Sequence, residues 1–574
     1  MELSPEVKAH HRLIDSPLAT PDSGDVQPFQ IPLTVGVTGH REIAEDCTAS
    51  IEAAVDTILA KLREKAPDAR LLLLTGLAEG ADRLVARLAQ ERHGAELAVV
   101  LPRAVDSYRN DFATAESKAE FDRLLASACL VVAPPQDHPD PTVGYAWAGH
   151  FTALHSHLLI ALWDGDAARG DGGTAEIVHA KLKGRYPDFS DDEPLHYDEG
   201  GAVAHVITAR AGEKPPATVG ETRWLYPDAA LIGARSGENR AAAVVSSFNT
   251  LNRLLKDDGR PRDSWSADTS NVTALKNAAD HLAGQFQKRT HISVRIMVVA
   301  TIVAAISSAI HGTITSLQPL ITTVLTTAAI AIGFAVSIYS NRRHWQRLHT
   351  DLRALAEAGR IQAAWIASGL SLSVADQYHP AQATSVPWIR RAIRTAFLLD
   401  NIQPPREAPS PEDRQRHAAA GHAWIDEQVD YFLGNHGVIA RYRRQARQFA
   451  ILGLVCLGIG LLIVLGNKLI DVAHLHQTVI DTSLVLLVGR IALAITASVS
   501  AYQAFMAFGD LQRTFAVSAH LFSLACDEAK AAAAADDHPR LIRLIVKLGR
   551  AALVENVSWV ILKRQRHVKP PSAG

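Results

Sequence analysis

Residues 296–341 contain no Lys, Arg, Asp or Glu, and within them only His311 can carry a charge. A helix that long, at 1.5 Å rise per residue, would be roughly twice the hydrocarbon thickness of a bilayer. The stretch therefore crosses a membrane twice, or forms a buried hairpin of a large soluble helical protein. Apolar residues run all round it instead of recurring on one face, which favours lipid. His311, Gly312 and the run Ser316-Leu317-Gln318-Pro319 supply a break between two spans, since proline and polar residues interrupt a helix. The expectation is a transmembrane hairpin with spans at 296–314 and 320–340.

A second hairpin repeats the plan. Residues 449–467 carry no charge, Arg441, Arg443, Arg444 and Arg447 precede them, and residues 483–508 are apolar apart from Arg490. Arg289, Arg295, Arg342, Arg343 and Arg347 flank the first hairpin in the same way. Basic residues collect on the cytoplasmic side of spans, so the expectation is a multi-pass protein of the cell inner membrane with both termini cytoplasmic. Small residues along the second pair, among them Gly453, Gly458, Gly460 and Ala494, permit close helix packing. Arg490 is a pore candidate, because an ionisable group within a span is costly and tends to have a task. If the span begins at Ile491, Arg490 instead reaches to the outer interface. The loop between these spans carries Asp471, His474, His476 and Asp481, which read either as a weak divalent-cation set or as a solvated loop; no metal is assigned.

A chain of 574 residues exceeds what one hydrophobic core supports. Its 58 basic and 60 acidic residues nearly balance, so no bulk basicity points to nucleic acid as a partner. Cys47, Cys129, Cys456 and Cys526 lie far apart without CxxC spacing, which argues against a disulfide framework or a zinc site. No apolar run lies within residues 1–30, so no secretory leader is expected and the first domain stays in the cytoplasm.

Upstream of the hairpins the pattern changes. Short apolar runs at 31–39, 71–74, 96–101, 130–133 and 158–163 each stop at a turn, with a further run at 202–208, and helical segments at 49–65 and 81–92 separate the first three. Strands alternating with helices imply an α/β, Rossmann-like, doubly wound parallel sheet, followed here by an all-α transmembrane and cytosolic region. In such sheets ligands sit beyond the carboxyl ends of the strands.

Three loops fall at those ends. Gly36-Val37-Thr38-Gly39-His40-Arg41 offers glycines for close backbone approach to an anion, a hydroxyl and a guanidinium. The loop from Thr75 through Gly76, Glu79 and Gly80 to Asp82 leads into a helix start, as does Gly170-Asp171-Gly172-Gly173-Thr174-Ala175-Glu176. Singly, each is also an ordinary strand-to-helix turn. Together, on one sheet, they point to a phosphate-bearing ligand, although none is a Walker A loop or a GxGxxG fingerprint.

These three loops, with Ile160-Ala161-Leu162-Trp163-Asp164-Gly165, resemble the SLOG superfamily, which includes the lonely-guy phosphoribohydrolases and DNA-processing protein A. The resemblance covers about residues 30–210 and implies a nucleotide-sensing domain of the kind found in bacterial conflict systems. It carries ligand binding over to Gly36, Thr38, Gly39, Thr75, Gly76, Gly80, Gly172, Gly173 and Thr174, and with them His40, Arg41, Glu79, Asp82 and Glu176. The phosphoribohydrolase pattern Pro-Gly-Gly-x-Gly-Thr-x-x-Glu is broken here, because Glu176 arrives one residue early and Ile177 stands in its place. The catalytic arginine expected on the helix before the fifth strand is absent from residues 144–157, which hold Tyr145, Trp147, His150, His155 and His157 instead. A histidine there can still serve as acid or base.

Residues 211–290 are read as connecting segments, with loops at Pro215-Pro216 and at 257–262 and a helix from about Ala278 leading to the membrane. Beyond the first hairpin a polar helix runs over about 344–370. The runs Leu355-Ala356-Glu357-Ala358-Gly359-Arg360, Ser373-Val374-Ala375-Asp376-Gln377-Tyr378, Trp388-Ile389-Arg390-Arg391 and Trp424-Ile425-Asp426-Glu427 resemble SLOG-linked membrane proteins related to SLATT effectors, and the resemblance implies an effector that perturbs the membrane. The same residues also read as packing and ion pairs of a helical cytosolic domain. A proline-rich linker occupies 403–411, and 541–566 is a basic helix able to lie on anionic lipid or pack on neighbours.

The expected organisation is a tail at 1–29, a SLOG-like nucleotide-binding domain at 30–212, connecting helices at 213–290, hairpins at 291–343 and 446–510, and cytosolic helices at 344–445 and 511–574. The expected function is a homo-oligomeric membrane effector gated by a nucleotide-derived ligand, opening a pore or disrupting the bilayer, as in antiphage defence. Its partners are then the lipid bilayer and a nucleotide-like small molecule; no cofactor is assigned with certainty. Two alternatives stand beside it: a membrane-anchored nucleotide or NAD hydrolase using Glu176, Asp82 or a histidine of 144–157, and a non-catalytic membrane scaffold.

Overall fold

The computed structural model describes residues 12–13, 29–134, 136–166, 172–187, 189, 200–212, 218–227, 237–260, 270–311, 319–379, 385–400, 409–434, 437–472 and 482–565. They fall into two compact units, one of Met1–Ala278 with Leu355–His417 and one of Ala279–Ala354 with Ala418–Gly574.

The first unit is built on an eight-stranded sheet in the order β1-β5-β4-β3-β2-β6-β7-β8. The strands are β1 (Arg12–Leu13), β2 (Leu33–Gly39), β3 (Leu71–Thr75), β4 (Glu96–Val100), β5 (Leu130–Ala133), β6 (Leu158–Trp163), β7 (Ala202–Ile207) and β8 (Thr222–Leu225). β2 to β7 are mutually parallel, and β1 and β8 add antiparallel edges. Every residue of β3, β5 and β7 is buried, His205 of β7 and Thr75 of β3 included, as in strands covered on both faces. The last edge, Thr222-Arg223-Trp224-Leu225, has no buried residue, which is why it carries no apolar signature.

The helices are α1 (Thr48–Lys65), α2 (Ala81–His93), α3 (Val105–Arg109), α4 (Ala115–Ala126), α5 (Pro141–His155), α6 (Thr174–Lys183) and α7 (Gly237–Asp258). Local chemistry sets their ends. The Thr114 hydroxyl accepts the Ser117 N–H at the start of α4, and Asp140 accepts that of Thr142 before a proline in the first turn of α5. Gly94 and Gly184 close α2 and α6 in the left-handed conformation. Trp147, Ala148 and Phe151 of α5 pack on Leu72, Leu74, Ala98 and Val100 of the sheet, joined by Leu398; burial of an aromatic such as Phe151 stabilises by about 1.5–3 kcal/mol. Leu398 lies on the helix Pro387–Asp400. Leu398, which falls within the cytosolic helical segment 344–445 of the sequence reading, thus belongs to the core cluster of the sheet. The 257–262 loop begins later than expected, since Asp257 and Asp258 close α7.

The second unit is helical. Among the described residues four helical runs are long and apolar enough to cross a membrane, within Asn271–Ile310, Pro319–Arg342, Pro411–Gly466 and Leu486–Ala534. The described helices are Asn271–His311 and Pro319–Arg342 for the first pair, and Val438–Val472 and Thr482–Met506 for the second. In the first, the Ser307 hydroxyl donates to the Thr322 carbonyl at 2.9 Å, and both residues are buried. In the second, a Cβ on Gly460 would lie 3.1 Å from Leu493 and 3.3 Å from the Gly489 carbonyl. Outward from these contacts the helices present Val303, Leu320, Val324, Leu454 and Leu462, all exposed. Residues 312–318, 401–408 and 473–481, with the turn of the first hairpin, most of the proline-rich linker, and His474, His476 and Asp481, lie outside the described residues.

Candidate ligand-binding cleft

Going from β2 to β5 the chain steps outward in one direction; it then returns to place β6 on the other side of β2. The connections after β2 and β6 diverge, and the crevice between them is the topological switch point where open α/β sheets bind ligands. A cleft of about 720 Å³ lies there.

The end of β2 is forced to be glycine. A Cβ on Gly39 would come 2.6 Å from the Leu162 carbonyl and 2.5 Å from the Ala81 side chain, so β6 and the start of α2 press directly on it. The His40 N–H donates to the Leu162 carbonyl and the His40 carbonyl accepts the Ala81 N–H. His40 is buried, and its Nε2 lies 3.1 Å from Asp164 Oδ2, which accepts the Arg210 Nε–H at 2.9 Å. One His40–Asp164–Arg210 link thus ties together the loops after β2, β6 and β7. Burial pushes the Asp164 carboxyl up, but the Asp166 N–H, Arg210 and His40 outweigh it and hold the group below the usual range. Asp164 is an anion at neutral pH, and Arg210 is both its partner and a cation on the cleft wall.

Arg41 is solvent-exposed, with its guanidinium carbon 4.6 Å from the centre of the Tyr145 ring. The Tyr145 hydroxyl donates to Asp111 and accepts from Arg103 at 3.1 Å. Tyr108, also on the wall, is buried, and burial first, then Asp82, drives its hydroxyl far above the usual range. Arg41 therefore rests on a fixed aromatic face, a setting in which a guanidinium stays planar and pre-organised for phosphate oxygens.

The other two glycine loops behave differently. Asp82 is buried, and its Oδ2 accepts the N–H groups of Gly76 at 3.1 Å and Ala78 at 3.3 Å, while the Thr75 hydroxyl accepts the Leu77 N–H. Three amides of that loop are thus satisfied by its own side chains. In the third loop Glu176 Oε2 accepts the Gly172 N–H at 2.6 Å. Gly172 has φ +75, and a Cβ there would lie 2.7 Å from the Ala146 nitrogen, so α5 seats this turn. Gly173, the residue before α6, makes no side-chain cap, and Gly173, Thr174 and Ala175 line the cleft. The first-turn amides of α6 carry a partial positive charge at that wall.

Of the residues expected from sequence, Thr38, Gly39, His40, Arg41, Gly76, Asp82, Gly172, Gly173 and Thr174 come together on the cleft. Gly36, Thr75, Glu79, Gly80 and Glu176 are not among its lining residues. Gly36 abuts Thr152 and Ser156 of the α5 end, Gly80 lies against the His40 and Arg41 carbonyls, and Glu79 accepts the Ser117 hydroxyl; Glu79 and Gly80 line an adjoining surface depression that shares Arg41, Glu42 and Ala211 with the cleft. None of His150, His155 and His157 lines the cleft. His150 faces Glu176 at 3.5 Å, His155 stacks on Phe151, and His157 lies beyond α5, not on it, before the first residue of β6. Sequence reasoning missed Tyr108, Tyr145, Trp163 and Arg210. Arg210 had a usable signal, since it follows the carboxyl end of a strand; the tyrosines reach the cleft only through the fold.

Among the described residues no group of three or more His, Cys, Asp or Glu is placed to hold a metal ion. Arg490 stands in the third turn of Thr482–Met506 and is exposed.

No protein-family model matches the chain, and no curated protein matches it. Among solved structures it is similar to DNA processing protein A from Streptococcus pneumoniae, at 19% identity over 25% of this chain and 46% of that one, with a TM-score of 0.19.

Proposed function

We propose that this protein is a homo-oligomeric membrane effector of the inner membrane, both termini cytoplasmic, whose SLOG-like domain binds a nucleotide-derived ligand and thereby opens a pore or disrupts the bilayer through SLATT-like spans, as in antiphage defence. One observation carries the reading: the switch-point cleft joins two arginines, Arg41 and Arg210, to the uncapped start of α6, in a chain that also has four helical runs apolar enough to cross a membrane. Phosphate oxygens suit the arginines and the helix start, and a base suits the Tyr145 and Trp163 faces. Gating requires the ligand to bind the open arrangement more tightly than the resting one.

The carboxylates favour sensing over hydrolysis. Asp82 and Glu176 are both engaged by backbone N–H groups of their own loops, which leaves neither oriented as a free general base. The test is dye efflux from liposomes carrying the full chain, with NAD and ADP-ribose as probes. Efflux on nucleotide addition that is lost in Arg41→Gln with Arg210→Gln supports the reading. Release of nicotinamide without efflux would replace it with the hydrolase alternative, and nucleotide binding with neither would leave a scaffold.

A further inference from the structure

At the amino ends of β6 and β7, the opposite end of the strands from the cleft, lies a second cavity of about 130 Å³. Leu158 and Ala202, the first residues of those strands, line it. Ile58, Leu62 and Val244, all buried, give it an apolar wall. An enclosed apolar cavity of about 150 Å³ holds one benzene ring, so the apolar part of this space is on the scale of a single ring.

The polar lining is one-sided. Arg240, on α7, has Nε and Nη2 buried, and among the described residues neither meets an acceptor. Those two N–H groups form one edge of the guanidinium, the fork that takes both oxygens of a carboxylate in parallel. His157, 7% exposed, lines the same cavity. Its Nδ1 accepts the Thr34 N–H at 3.0 Å, which places the ring proton on Nε2. That Nε2 is also buried and, among the described residues, meets no acceptor. Burial first, then Arg391 and Lys181, hold the imidazole neutral. Lys61, Lys65 and Arg391 add cations to the lining; Glu238, the one acidic residue among the described lining residues, is exposed. Buried donors left without acceptors cost stability unless a ligand supplies the acceptors.

We propose that this cavity binds a small organic acid, with a ring-sized apolar body against Ile58, Leu62 and Val244 and its carboxylate on the Nε and Nη2 edge of Arg240, His157 Nε2 supplying a third donor. The site is distinct from the switch-point cleft and takes a different class of ligand.

Isothermal titration of the full chain in detergent, with benzoate as probe, tests this. Benzoate saturates one site, and benzamide, its uncharged isostere, binds at least tenfold more weakly. Arg240→Met lowers benzoate affinity at least tenfold while its melting temperature without benzoate equals or exceeds the wild type, since unpaired donors have been removed. Ala241→Leu fills the lined space without touching a donor and abolishes binding by itself. The proposal is overturned if the wild type takes up no benzoate, if Arg240→Met binds it unchanged, or if inorganic phosphate binds as tightly as benzoate, which would mark a general anion patch.

Discussion

The Asp82 carboxylate accepts the backbone N–H of Gly76 at 3.1 Å. A glycine turn leading into a helix reads from sequence as an anion seat, and here the anion is the chain's own. The interaction closes the loop between β3 and α2 onto itself, so the proposed anion recognition rests on Arg41, Arg210 and the start of α6.

Asp82 makes stability depend on pH in a defined direction. Burial pushes its carboxyl up to about 6, against the pull of the Ala78 and Gly76 N–H groups and of Arg41. A folded pKa above the unfolded value means that the folded state binds the proton more readily, so stability falls as pH rises from about 4 through about 6 and then levels off. The shift of roughly two units is worth about 3 kcal/mol. Asp82→Asn keeps a carbonyl oxygen for both amides without the charge. In melting curves of the detergent-solubilised chain it should exceed the wild type by about 1–3 kcal/mol near pH 8 and match it near pH 4. An equal gain at both pH values would mean that ionisation of Asp82 is not the cause.

Lys181 is 1% exposed, and its ammonium donates to the carbonyls of Ala153 at 2.7 Å and Ser156 at 2.5 Å. Arg391 donates to the Gly200 and Ser156 carbonyls, and Arg394 to that of Leu154. Three cations thus meet the negative end of the α5 dipole. Lys181→Met takes the ammonium from the Ala153 carbonyl and leaves that of Ser156 with Arg391 alone, and should destabilise by about 2–4 kcal/mol, read from urea unfolding followed by tryptophan fluorescence. A loss below about 0.5 kcal/mol would show that the two arginines suffice.

The parallel strands and the apolar hairpins were legible in the sequence because both signals are local: continuous apolar runs stopped by turns, and spans without charge. The membership of Leu398 in one core cluster with Leu72 was not, because it joins residues far apart in the chain. α7, which carries Arg240, lies in a stretch whose sequence reads only as connecting segments. At the cleft, residue types were legible and directions were not. Asp82 and Glu176 stand in the motif as ligand groups, yet their oxygens turn to the Gly76 and Gly172 amides, and Tyr145 arrives from α5 by packing alone.

The second hairpin closes at a glycine pair. Gly489 would place a Cβ 3.1 Å from Ile463 and 3.6 Å from the Gly460 carbonyl, so each glycine lets the other helix approach. In the proposed bilayer setting there is no hydrophobic drive between helices, and such close packing supplies much of their association. Gly460→Leu should separate Val438–Val472 from Thr482–Met506 at a cost of about 1–3 kcal/mol. Cysteines placed at Gly453 and Thr496, where the Thr496 hydroxyl lies 3.4 Å from the Gly453 carbonyl, report this as a lower yield of oxidative crosslinking within the chain. Unchanged crosslinking would mean that the pair is held elsewhere.

Gly39→Asp is a poor probe of the cleft, because any side chain at Gly39 meets Leu162 and Ala81 and the variant would lose its fold before its ligand. Thr174→Asp separates the two effects. Thr174 is the first residue of α6 and lines the cleft, so a carboxylate there meets the positive end of the helix dipole and should raise stability by about 0.3–1 kcal/mol. The same charge faces the position proposed for phosphate. Repulsion at an effective dielectric near 20 is worth a few kcal/mol at close range, so nucleotide affinity should fall at least tenfold. A variant that melts higher and binds more weakly assigns the α6 start to the ligand. Unchanged affinity with raised stability would move the phosphate away from α6 and leave Arg41 and Arg210 to hold it.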